Sequence, residues 1–139
     1  MFENVRMIEE LRIGFDLGML YLMAKPGPDF EENRADLSLK FKITGPTGAM
    51  RVVDVDVSEQ VQAKVEAPGN QARGVKRVEY VNCLELAVPF ADLDLTTGDD
   101  FKIHVSVMER NMEVERHPQE RAIELSVPDE TFELRNWIV

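Results

Sequence analysis

Between residues 82 and 107 the chain reads NCLELAVPFADLDLTTGDDFKIHVSV, with apolar residues at every second position in two runs, Leu84/Leu86/Val88 and Phe101/Ile103/Val105/Val107. Period-two alternation sets one side of an extended chain in a core and the other in water, so each run predicts a half-buried strand. In the link between them, Phe90, Leu93 and Leu95 are spaced so that a single helical turn tucks them under a sheet. Gly98-Asp99 then supplies a turn with positive φ.

The same alternation recurs along the chain. Leu11/Ile13/Phe15 and the run 19–24 flank Asp16-Leu17-Gly18 and predict a hairpin that Pro26-Gly27-Pro28 terminates. Residues 30–35 read as a polar, acidic loop. Residues 36–43 and 50–57 alternate cleanly on either side of Gly45-Pro46-Thr47-Gly48, the strongest hairpin signal present. Val61/Ala63/Val65/Ala67 predicts another strand before a small, polar stretch, 68–74, expected to be mobile. A short strand over 75–80 places Val78 and Tyr80 on one face. Arg110-Asn111 marks a tight turn, His117-Pro118 a strand end, and Ile123/Leu125/Val127 and 132–139 the closing strands. About ten short strands with turn signals every 8–12 residues predict an all-β fold, an antiparallel β-sandwich with jelly-roll-like character. No linker, fixed-interval repeat or low-complexity segment divides residues 1–139, so a single domain is expected.

Composition narrows the function classes. A net charge of -10 argues against nucleic acid or an anionic membrane as partner, since both need clustered Lys and Arg. No apolar run approaches the ~20 residues that span a bilayer. The first fifteen residues mix charge with apolar residues and show no signal-peptide pattern, which implies a cytoplasmic location. Cys83 is the lone cysteine, so no internal disulfide forms.

The segments ELAVPFADLDLTTGDDFKIHVSV, VERHP and IELSVPDETFELRNWIV, together with the earlier IGFDLGMLYLMAKP, carry a family resemblance. They resemble the small β-sandwich domain that follows the catalytic barrel in family 57 glycoside hydrolases, the α-amylase and α-mannosidase-like group. They are also similar to sandwich modules of the carbohydrate-binding family 9 type. The resemblance implies a non-catalytic accessory domain, packed against a glycoside hydrolase catalytic domain or another partner, with weak carbohydrate contact. Family 57 catalysis belongs to the barrel, which this chain does not contain. Family 9 modules hold a sugar between two tryptophans, of which this chain has one, Trp137. They also carry structural calcium.

Candidate chemistry is sparse. Tyr21, Tyr80 and Trp137 are the residues on which a sugar ring could stack, because carbohydrate CH faces pack on aromatic rings while Tyr and Trp keep a polar handle. Loops over 26–35 and 67–74 would border such a site. Asp54 and Asp56 share one strand face and Asp92, Asp94, Asp99 and Asp100 crowd the central link, an oxygen-rich set of the type calcium prefers. Alternating acids are equally the wet face of a strand. A glycosidase needs two carboxyls about 5–9.5 Å apart, one with a raised pKa. Here Glu85, Glu113 and Glu115 fall at positions expected to face water. His104 and His117 have no zinc spacing, and nothing forms a phosphate loop or a Ser-His-Asp order. The reading is a non-enzymatic accessory sandwich; the alternatives are a genuine carbohydrate-binding module and a small acid/base glycosidase.

Overall fold

The computed structural model describes residues 7–58, 60–66, 72–118 and 121–128. The first predicted hairpin pairs β1 (Ile8–Phe15) with β2 (Met19–Pro26), Ile13 opposite Leu22 and Phe15 opposite Leu20. Its turn closes on Asp16, whose Oδ1 accepts the Gly18 and Met19 amides at 3.0 and 2.8 Å. Side-chain capping of this kind is why Asp starts so many turns.

Residues 30–35 are not a simple loop. Pro28 opens a short helix, α1 (Pro28–Glu32), and a 3-10 turn, Arg34–Asp36, follows. Phe30 is fully buried and plugs one end of the sandwich. A single apolar residue among acids carries no period, so the pattern of apolar residues could not announce it.

The strongest predicted hairpin forms β3 (Leu37–Thr44) and β4 (Met50–Asp56). Leu37, Leu39, Phe41 and Ile43 of β3 and Val53 and Val55 of β4 turn inward and are buried. β5 (Gln62–Glu66) pairs with β4. Part of the stretch expected to be mobile is instead β6 (Ala72–Gly74), held by backbone pairing to β5; residues 67–71 lie outside the described residues. Pairing at a sheet edge recruits residues that no hydrophobic pattern selects.

β7 (Arg77–Tyr80) and β8 (Leu84–Pro89) then join the first hairpin. The central link forms a 3-10 turn, Phe90–Leu93, as its spacing predicts, with Phe90, Leu93 and Leu95 buried and Gly98 at φ 84°. It carries the chain to β9 (Asp100–Glu109), where the Phe90 ring meets Phe101 edge-on at 5.9 Å. β9 lies in the opposite sheet from β8, so the link bridges the sandwich.

Arg110 and Asn111, with φ of 48° and 74°, turn the chain into β10 (Met112–His117). After a short excursion β11 (Ile123–Ser126) returns to the same edge of β9. β10 covers residues 105–109 of that edge and β11 covers 100–103. The expected closing strand over 132–139 lies outside the described residues.

The result is the antiparallel all-β sandwich that the alternation predicts. One sheet runs β1-β2-β8-β7 and the other β10-β9-β3-β4-β5-β6, with β11 beside β9. Because β8 is antiparallel to β2, the β2–β3 and β8–β9 crossings cap opposite ends.

One face is inverted relative to expectation. The register shifts between Glu113 and Glu115, a bulge that adds a residue to β10. A bulge reverses which side the following residues present. Glu115 opposite Val107 and His117 opposite Val105 therefore turn inward, while Met112 and Val114 are exposed.

Candidate functional site

Alternation on the four-stranded sheet leaves a defined set of side chains facing away from the core. One cross-strand row is Gly14, Tyr21, Ala87 and Arg77; the next is Arg12, Met23, Glu85 and Glu79. Between the long side chains of these two rows lies a depression of about 430 Å³ lined by Arg12, Tyr21, Met23, Arg77 and Glu85, with Leu22 and Leu86 of β2 and β8 contributing. That is within the size of small-molecule sites, roughly 300–1,000 Å³.

Electrostatics around the depression are mixed. The Tyr21 hydroxyl donates to Asp16 Oδ2 at 2.7 Å, which pushes the phenol above its ordinary range, with burial adding to the effect. Burial alone would push Asp16 upward, but the Tyr21 hydroxyl and the Gly18 and Met19 amides more than reverse this and hold it below the usual carboxylate range. Arg12 Nε pairs with Glu10 at 3.0 Å. The Arg77 guanidinium stands 3.6 Å from Glu85 and 3.7 Å from Glu79, close enough for attraction but beyond a direct hydrogen bond.

Tyr80 does not join Tyr21. It pairs with Leu84 on the inward side of the same sheet. There its ring stacks on Phe30 with centroids 6.2 Å apart, Arg34 lies 4.2 Å over the ring, and its hydroxyl donates to Glu31. Burial first, and then Glu31, drive its phenol strongly upward. Tyr80 fastens α1 to the end of the sandwich and has no face to offer a ligand. Trp137 lies outside the described residues. The depression is also bordered by strands rather than by the loops expected to frame a site, because its walls are outward-facing strand residues.

Asp54 and Asp56 share a face of β4 but are engaged separately. Asp54 lies 3.7 Å from the Lys40 ammonium and opposite Lys64, while Asp56 accepts the Ser58 amide and hydroxyl at 2.9 and 2.7 Å. Ser58 holds Asp56 below the usual range, chiefly through its backbone amide. The central-link acids are likewise dispersed: Asp94 takes Arg51 at 2.7 Å and Arg73 at 3.3 Å, Asp99 accepts the Thr96 amide, and Asp100 accepts the Ser126 hydroxyl. Among the described residues no group of three or more His, Cys, Asp or Glu side chains is placed to hold a metal ion.

Of the remaining groups, Ser106 is fully buried on the outer side of β9 and donates to Glu113, which this bond, together with Arg116, holds low. His104, on the same side, is pushed below its ordinary range by burial and then by Lys42 and Arg116. Asp16, Asp56, Asp94, Glu113 and Glu115 are all displaced downward.

Of the residues singled out from the sequence, Tyr21 lines the depression; Arg12, Arg77 and Glu85, which no sequence pattern connects with it, stand beside it. The cross-strand register that unites them joins residues up to 73 positions apart, between Arg12 and Glu85. Fold and site together define an antiparallel β-sandwich with a ligand-sized depression on the outer face of one sheet. No protein-family model, curated protein or solved structure matches the chain.

Proposed function

We propose that this chain is a non-catalytic accessory domain, of the type that follows a family 57 glycoside hydrolase barrel, and that it meets carbohydrate on the outer face of its four-stranded sheet. The observation that carries this reading is the depression of about 430 Å³, where Tyr21 and Met23 supply apolar surface beside Arg12, Arg77 and Glu85. Sugar recognition needs this combination of an apolar wall for CH groups and a few converging polar groups for hydroxyls. An open, half-exposed site gives modest affinity, with Kd of about 0.1–10 mM, or roughly -5.5 to -2.7 kcal/mol.

Titrating soluble α-glucans and mannans into isotopically labelled protein tests the reading. Saturable amide shifts should centre on residues 12, 21–23, 77 and 85–86. Tyr21→Ala should reduce affinity by about tenfold or more, as loss of an aromatic contact does, while the remaining spectrum stays native. Shifts scattered elsewhere, or none at all with millimolar sugar, would exclude it.

A packing role draws on a different observation. Met112 and Val114 are 69% and 44% exposed on β10, an edge strand. Isolated chain should self-associate through this edge, and Met112→Glu with Val114→Glu should render it monomeric at every concentration in sedimentation. Monomeric wild-type protein would remove this second reading.

A further inference from the structure

We infer that the ring held in the depression is uncharged, and that Arg77 and Glu85 hold it jointly by sharing its hydroxyls; this rests on the binding reading above. The Arg77–Glu85 separation of 3.6 Å is the central observation. A guanidinium offers only donors and a carboxylate only acceptors, so at this distance neither satisfies the other directly. A hydroxyl donates and accepts at once. Set over the pair, with its oxygen within reach of both groups, it takes a hydrogen bond from Arg77 and gives one to Glu85. Neighbouring hydroxyls on one ring extend the arrangement to Glu79, which stands opposite Glu85 and 3.7 Å from Arg77.

Charge balance decides against a charged ring. Arg12 and Arg77 face Glu10, Glu79 and Glu85, and Asp16 holds the Tyr21 hydroxyl, so the surroundings carry more negative than positive charge, within a chain of net charge -10. A uronate, sulfate or phosphate would meet Glu85 and Glu79 at close range. A cationic ring would meet the two arginines. The ion pairs themselves are half exposed, and pairs in that setting are weak, so rearranging them around a neutral hydroxyl costs little. Met23 and Tyr21 add apolar wall to the same depression.

The test compares maltose, mannobiose and glucuronate by amide-shift titration of the whole chain, with wild type and Glu85→Gln. Glu85 is half exposed, and an unchanged spectrum away from residues 77–87 certifies the fold. Maltose or mannobiose should saturate the depression at least about tenfold more tightly than glucuronate, the discrimination expected when a fixed carboxylate repels an anion. In Glu85→Gln the neutral sugar should weaken and glucuronate strengthen, closing the gap. Equal binding, or tighter glucuronate, at these same amides would overturn the neutral ring while leaving the binding surface in place. If no sugar moves these amides, both this inference and the reading beneath it fall.

Discussion

Glu115 has a side chain only 9% exposed, and it accepts the amides of Met7 and Ile8 at 2.7 and 2.9 Å while His117 Nε2 approaches the same carboxylate. It thereby ties β10, an edge of one sheet, to the start of β1, an edge of the other. Burial pushes its carboxyl upward, but His117 and the two amides outweigh burial and hold it below the ordinary range. A depressed folded pKa contributes stability that is fully present above the unfolded value and is lost as pH falls through the folded one. Urea unfolding should therefore show this contribution intact at neutral pH and fading below about pH 4. Glu115→Gln should cost roughly 1.5–3 kcal/mol at pH 7, the range for hydrogen bonds to a charged group. The difference between wild type and variant should shrink as the pH is lowered toward 2. A constant difference across that range would assign Glu115 a packing role only. This residue was not legible in the sequence, where it alternates with Val114 as a solvent-facing acid would.

The β9–β10 hairpin shows what local chemistry does specify. Arg110-Asn111 reads as a tight turn, and both residues take positive φ, 48° and 74°. Left-handed backbone is tolerated by Asn and strained in a β-branched residue. Asn111→Val should destabilise by about 1–2 kcal/mol and Asn111→Gly by much less, measured by chemical denaturation. Equal losses would place the cost in a side-chain contact instead. The central link was legible for a similar reason: Phe90 and Leu93 carry a helical spacing and bury accordingly, with Leu95 buried just beyond the turn. α1 was not, because Phe30 is one buried ring without periodic neighbours, and its stacking on Tyr80 joins elements 50 positions apart.

Across the whole molecule the two sheets meet through one apolar layer. Phe41 of β3, Leu22 of β2, Leu86 of β8 and Val105 of β9 are all essentially inaccessible to solvent. At one end, Arg51 of β4 and Arg73 of β6 converge on Asp94 of the central link, holding its carboxyl below the usual range chiefly through the Arg51 hydrogen bond. Phe41→Ala should lower stability by about 3–5 kcal/mol, the cost of removing a buried aromatic. The loss should appear identically by near-ultraviolet and far-ultraviolet circular dichroism, since both sheets share the layer. Separate transitions for the two probes would mean that side-chain packing and the strands are lost in different steps and that unfolding is not two-state. The sequence by itself determined where most of the described strands run, which residues share a side in the strands without a bulge, and where hairpins such as the one at Arg110-Asn111 turn, since these follow from local period and turn chemistry. Only the tertiary structure decided which sheet each strand joins, that a bulge inverts the end of β10, and that Tyr21 faces outward beside Arg77 and Glu85 while Tyr80 faces inward against Phe30. The physical reason is that alternation defines sides only relative to one strand, whereas pairing between distant strands, and the burial it commits each face to, assigns those sides to core or water.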